Sequence, residues 1–197
     1  MASEPIRSKK DVKKIINHYF NLGHWRNYVL IVMGINTALR ISDMLRLRWS
    51  DVYDFDRKHL RKHLTLLETK TGKRQTIVLN DAVVKALMIY FPYRKETVRE
   101  AFLFPSNRRG GRELLGPISR QQANRIIKEA ARKSRTAEKV SCHSLRKTFG
   151  YHAWRAGVQV AVIMEIYNHS SYAVTRRYLG IGQDERDAVY RKVCFGL

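Results

Sequence analysis

The sequence predicts a mainly α fold with a small antiparallel β-sheet, an α+β class. Three observations predict it. Apolar residues recur at three- and four-residue spacing along most of the chain, as on helices with one buried face. Around residues 64–79 that period gives way to two short β-prone runs flanking a turn. Serine, asparagine, glycine and proline stand where such helices should begin and end.

Ser8 followed by Asp11 opens a first helix, in which Val12, Ile15, Ile16, Tyr19 and Phe20 share a face until Gly23 stops it. The stretch 25–39 is apolar on nearly every side and reads as a central core helix. Its apolar run from Tyr28 to Leu39 is too short to span a bilayer. A short helix over 42–47 follows, ending before Trp49-Ser50-Asp51. Residues 64–68 and 75–79 pair as a hairpin through Thr69-Lys70-Thr71-Gly72-Lys73. Asn80 caps a helix running to about Phe91, with Pro92 beyond it. Phe102-Leu103-Phe104-Pro105 reads as one more short strand, and 106–116 as a basic, glycine-containing loop, the most mobile segment. Helices over 119–133, 144–155, 159–167 and 171–179 complete the pattern, and an amphipathic stretch over 184–193 ends it. Trp25, Trp49 and Trp154 sit in apolar helical contexts as core anchors. With no repeat, low-complexity tract or linker, the chain reads as a single domain over 1–197, its core over about 8–182 and its C-terminal segment over 183–197.

Charge narrows the function classes. The chain carries 38 Lys+Arg against 17 Asp+Glu, a formal net charge of +21. Such an excess opposes compaction by self-repulsion unless a polyanion neutralises it. Nucleic acid fits best, because each phosphate contact releases condensed counterions. An anionic membrane competes less well, since the basic residues are spread along the chain with no juxtamembrane block. The N-terminus MASEPIRSKKDVKK has no apolar signal core, and Cys142 and Cys194 fit a reduced compartment, so the expected location is the cytoplasm, at the nucleoid when on DNA. No metal and no cofactor is expected: there is no ligand-like cysteine spacing, no acidic cluster for a two-metal site and no G-x-x-x-x-G-K-[ST] nucleotide loop.

Four separated features carry candidate chemistry: Arg40 between the core helix and the short one, Lys70 in the hairpin, His143-Ser144-Leu145-Arg146, and His169 followed by Tyr178. Singly, each has a plain structural reading. Arg40 can pair with Asp43, Lys70 can be a solvated turn residue, the His143–Arg146 pair can cap a helix, and one of 10 tyrosines is ordinarily core. Together they supply what phosphoryl transfer needs. Two arginine forks match the non-bridging oxygens of a phosphate, two histidines titrate near neutrality, a lysine can protonate a leaving oxygen, and a tyrosine can attack.

The ordered set Arg40, Lys70, His143-x-x-Arg146, His169 and Tyr178 resembles the catalytic domain of tyrosine recombinases, the phage-integrase family. The surrounding text TALRISDMLRLRWSDV, TKTGK, CHSLRKTF and NHSSYAVTRRYL carries the same resemblance, which runs from about residue 8 to the end. It implies the fold of the DNA breaking-rejoining enzymes and a site-specific recombinase or integrase. Arg40 and Arg146 would then clamp the scissile phosphate, and His143 would exchange the tyrosine proton. Lys70 would protonate the leaving 5′ oxygen, His169 would bond a non-bridging oxygen, and Tyr178 would carry the 3′ phosphate, with neither metal nor ATP. Two positions depart from the pattern: Asn168 stands where glycine is usual, and Lys147 where histidine is frequent. Asn tolerates a left-handed backbone, so the turn before His169 can survive.

The resemblance also implies double-stranded DNA as partner and assembly on it as dimers and tetramers. Ala188, Val189, Val193 and Phe195 of the C-terminal segment would dock on a neighbouring protomer. Lys73, Arg74, Lys147, Arg176 and Arg177 are further candidates for DNA contact. The family's N-terminal core-binding domain is expected to be absent here, the chain reading either as an excised catalytic domain or as a naturally short enzyme. Two other readings stand beside the main one: a type IB topoisomerase-like DNA relaxation, and a non-catalytic DNA-binding protein that keeps the fold.

Overall fold

The computed structural model describes residues 3–94, 98–106, 116–136 and 139–193. The basic loop read over 106–116 falls, at 107–115, outside the described residues, as do Cys194 and Phe195.

Helix α1 (Lys9–Asn21) starts where Ser8 accepts a hydrogen bond from the Asp11 N–H, and the chain leaves it through Gly23 at φ +66°. Helix α2 (Trp25–Asn36) is the axis of the molecule, buried from Tyr28 through Ile35 on every side. A turn with Ala38 at φ 56° leads to α3 (Ile41–Leu45), which starts one residue earlier than the sequence suggests and ends two earlier. The Trp49-Ser50-Asp51 stretch, read as lying beyond a helix, forms its own short helix α4 (Trp49–Val52).

Instead of one small sheet there are two antiparallel ribbons. β1 (Tyr53–Asp54) pairs with β2 (His59–Leu60), and β3 (His63–Leu67) with β4 (Arg74–Val78). Two-residue strands leave no period to read, which is why the first pair escapes sequence analysis. Phe102 and Pro105 form only isolated bridges, to Arg48 and Pro117, and not the strand expected there. A ladder that meets a proline on each side has lost the N–H groups it would need to continue.

Asn80 caps α5 (Asp81–Tyr90), accepting from the Val83 N–H, and Pro92 sits inside the 3-10 turn that follows. Ser119 caps α6 (Arg120–Lys133). Helix α7 (Cys142–Arg155) begins two residues before the expected Ser144, because Ser141 and Ser144 cap each other reciprocally. His143 therefore lies inside the first turn of a helix. Helix α8 (Val160–Tyr167) ends at Asn168, which adopts the left-handed conformation (φ 51°, ψ 42°) its sequence position suggested. Ser171 caps α9 (Tyr172–Leu179), and α10 (Gly182–Lys192) closes the described chain.

Packing forms two cores joined by α7. The larger surrounds α2 and includes Trp49, Leu87, Phe104, Ile127 and Leu145. The smaller holds Tyr151, Ile163, Tyr167, Leu179 and Ile181. Trp154 and Trp25 are only partly buried at the edges of the two, while Trp49 is fully enclosed. Close approach on both sides of α7 depends on glycine. A Cβ on Gly34 would lie 2.6 Å from Leu145 Cδ1, and one on Gly150 would press into Tyr167 and Leu179. Packing also begins ahead of α1: Ile6 is fully buried, its N–H donates to Thr148 Oγ1 and its carbonyl meets His152 Nε2.

Candidate active site

Arg40 sits in extended backbone at the entry to α3, directly after the left-handed turn at Ala38. Its Nη1 lies 2.5 Å from Glu68 Oε1, and its Nη2 donates to the Tyr167 carbonyl at 3.3 Å. The pairing with Asp43 does not form. Asp43 is buried and accepts instead from the Thr69 N–H.

Arg146 emerges from α7 and is 4% exposed. It donates to the Ala38 carbonyl and, at 3.1 Å, to the Tyr167 carbonyl, and it lies over the Tyr167 ring. Two guanidinium groups thus converge on one carbonyl in the last turn of α8. That end of a helix presents unsatisfied carbonyls and partial negative charge, so it helps to organise both cations alongside the Glu68 carboxylate.

The turn at Asn168 delivers His169, whose Nδ1 lies 3.1 Å from the hydroxyl of fully buried Thr175. Burial, then Arg146, Arg40 and Lys70, push the His169 pKa down to about 4. His143 is lowered as well, by partial burial and then by Arg120, Lys147, Arg146 and Lys70. Both imidazoles are therefore neutral at pH 7.

Tyr178 lies edge-on to Tyr167 and to His169, with ring centroids 5.4 and 5.1 Å away. Burial raises its pKa, and the opposing pull of Arg146 and Arg40 does not cancel the rise. It is a phenol at neutral pH, so attack by its oxygen needs a base. Lys70 is exposed beside the tip of the β3–β4 hairpin, where Gly72 at φ +65° makes the turn and Thr71 Oγ1 donates to Glu68.

All six candidates, Arg40, Lys70, His143, Arg146, His169 and Tyr178, line one open cleft of about 520 Å³. The secondary DNA-contact candidates stand outside its lining. Lys73, Arg74 and Arg177 are exposed and Arg176 is half-buried. Lys147 is turned inward: its Nζ donates to the Ser3 carbonyl and stands 5.0 Å from the Tyr178 ring centroid. Among the described residues no group of three His, Cys, Asp or Glu could hold a metal ion, and no helix is long and apolar enough to cross a membrane.

Sequence reasoning missed two charged residues at the site. Arg120 lines the cleft beside His143 and is the leading charge acting on it. A signal existed, since a basic residue in the first turn of a helix opposes the helix dipole and suits a place where an anion will sit. Glu68 is buried behind Arg40. Its signal was an acid two residues before Lys70 in an otherwise basic hairpin.

Residues 7–184 match the model of the phage integrase family. The chain is 37% identical over 188 residues to the probable integrase/recombinase YoeC of Bacillus subtilis, covering 95% of each. It is 29% identical over 171 residues to the tyrosine recombinase XerA of Pyrococcus furiosus, covering 87% of this chain and 55% of that one. With the tyrosine recombinase XerD of Mycobacterium tuberculosis it shares 31% over 157 residues, 78% of this chain and 47% of the relative. The chain thus spans about half the length of these Xer relatives. Among solved structures it is similar to the XerA recombinase, with a TM-score of 0.75 at 23% identity over 98% of this chain and 65% of that one. It also resembles the XerH site-specific recombinase bound to palindromic difH substrate in a post-cleavage complex, with a TM-score of 0.69 at 17% identity over 90% of this chain and 49% of that one. The architecture is the catalytic-domain fold of these recombinases.

Proposed function

The chain belongs to the phage integrase family, and from that premise we propose that it is a site-specific DNA recombinase that cuts and rejoins strands through a covalent 3′-phosphotyrosine at Tyr178. The observation that carries this reading is the convergence of six residues from five separate segments on one cleft. Each takes a role its surroundings suit. Arg40 and Arg146 hold the non-bridging oxygens of the scissile phosphate with forks already oriented by the Tyr167 carbonyl. His143, neutral, takes the phenol proton as the Tyr178 oxygen bonds to phosphorus. The bond from phosphorus to the 5′ oxygen breaks, and Lys70 gives that oxygen a proton. His169, held through Nδ1 by its contact with the Thr175 hydroxyl, bonds a non-bridging oxygen through its other ring nitrogen. The phosphotyrosine keeps the energy of the broken bond, so a second 5′ hydroxyl reverses the sequence on a new strand without ATP. The protein's own cations carry the charge stabilisation that a metal would otherwise supply.

The partner is double-stranded DNA, as the net charge of +21 suggests. Assembly as dimers or tetramers on DNA runs through α10 and the residue that follows it, where Ala188, Val189 and Val193 are exposed. Deleting the residues after Gly182 should weaken assembly; unchanged assembly with full activity would count against that route.

Tyr178 is tested with a nicked duplex, its cleavage sequence selected as covalently retained DNA from a randomised pool. Wild type should form a protein–DNA adduct and Tyr178→Phe none. An adduct in the Phe variant places the nucleophile elsewhere.

A further inference from the structure

Glu68 is 2% exposed and is not part of the cleft lining, so it does not reach a phosphate bound there. It nevertheless holds three of the segments that form the cleft. Its Oε1 stands 2.5 Å from Arg40 Nη1, while Oε2 accepts from Thr71 Oγ1 at 2.6 Å and from Asn168 Nδ2 at 2.9 Å. Its backbone closes the hairpin tip, with its N–H donating to Lys73 and its carbonyl accepting from Gly72. Lys70 lies inside that closed turn, Arg40 is a direct partner, and Asn168 precedes His169.

The chemistry of the contacts explains why a carboxylate stands here. Burial pushes Glu68 upward, but the donors Arg40, Thr71 and Asn168 hold its pKa below the ordinary value, so it stays charged. It accepts from every side-chain partner and donates to none. An amide in its place would turn an NH₂ group towards either Arg40 or the Thr71–Asn168 pair, leaving a buried donor facing a donor. The negative charge also balances a cleft that gathers Arg40, Arg146 and Lys70 before any phosphate enters.

We propose that Glu68 is a positioning residue for strand cleavage, one buried carboxylate that sets the Arg40 fork and the Lys70 turn against the turn at Asn168. This rests on the strand-cleavage reading above and deepens it: groups acting on different oxygens of one phosphate share a single support.

The test uses the full chain and two nicked duplexes of the captured sequence, differing in one atom. One carries oxygen at the scissile 5′ bridging position, the other sulfur. A thiolate leaves without a proton donor, so cleavage of the sulfur duplex does not depend on Lys70. Glu68→Ala should form adduct about 10²-fold more slowly on the oxygen duplex, the scale of loss for a misplaced reacting group. On the sulfur duplex it should regain at least about tenfold, the part owed to general acid catalysis. DNA affinity should stay within about twofold, since binding is carried by phosphate contacts elsewhere. An undiminished rate on oxygen, or an equal loss on both duplexes, overturns the proposal. Glu68→Gln, which preserves volume, carries the same comparison if the alanine variant does not fold. If wild type captures no duplex, the strand-cleavage reading itself falls; if wild type reacts and Glu68→Ala keeps pace, only the role of Glu68 falls.

Discussion

The packing on the two sides of α7 differs in depth. On one side α2 is ringed by α1, α5, α6 and α7, and its own Leu30 and the neighbouring Trp49 and Leu87 are fully enclosed. On the other, α8 and α9, eight residues each, rest on a cluster of a few side chains around Tyr167. The deep side supports Arg40, while the shallow side carries His169 and Tyr178; Arg146 stands on the shared helix between them. Regions with fewer buried apolar contacts open at lower free energy. On the roles proposed above, the two arginines that would grip phosphate are thus tied to the stiff part, and the proposed nucleophile rides on the part that moves at least cost.

The largest effect should come from the deep core. Trp49→Ala should cost about 3–5 kcal/mol, as removal of a large buried aromatic does. Amide exchange should then quicken in every helix alike. If only α8 and α9 lost protection, the two sides would not be ordered as described. Gly150→Ala probes the shallow side. Its Cβ would push Tyr167 and Leu179 away from α7, at a cost of about 1–3 kcal/mol. Exchange should quicken in α8 and α9 but not in α2, and adduct formation should fall about 10²-fold. Gly34→Ala is the matched control, crowding Leu145 instead. An equal loss of adduct in both variants would erase the distinction.

A smaller effect is expected at the turn between α8 and α9. Asn168→Ala keeps a β-carbon in the left-handed conformation without the polar side chain that makes it tolerable, costing up to about 1–2 kcal/mol, whereas Asn168→Gly removes the β-carbon and its strain. Both lose the bond to Glu68. Thermal melts should rank Gly above Ala, and the reverse order would mean that the backbone of this turn is not what limits it.

The mildest probe is pH. His169 has a folded pKa of about 4 against an ordinary 6.5, and His143 and His152 are shifted the same way by burial. The unfolded chain therefore takes up protons that the folded chain refuses. Stability should be complete above the ordinary value and should decline as pH falls from there towards 4. Urea midpoints measured from pH 7.5 down to about 5 should fall for wild type and fall less for His169→Asn. Equal slopes would show that His169 is not a source of the decline.

Much of the fold was legible because it is locally determined. Ser8, Asn80, Ser119 and Ser171 each cap the helix that the spacing after them announced. The start of α7 was misread because Ser141 and Ser144 cap each other without the usual glutamate. The run from Phe102 to Pro105 has strand composition but lacks the ladder partners a strand requires. At the site, residue types in order were enough to gather the six candidates, because the chemistry demands those types. Glu68 and Arg120 were not gathered, since an acid in a basic hairpin and a base in a helix's first turn are weak local signals that only packing turns into a place at the site.

Local sequence sets where most helices begin, the left-handed turn before His169, the excess of positive charge, and which side chains have the chemistry for phosphoryl transfer. Each follows from residues within a few positions of one another, or from composition alone. Long-range packing alone pairs Arg40 with Glu68 and not with nearby Asp43, and turns Lys147 inward towards Tyr178. It also decided that Arg40 and Arg146 meet at one carbonyl, reached from 127 and 21 residues away along the chain. Such partnerships depend on which surfaces pack together, and no local preference encodes that.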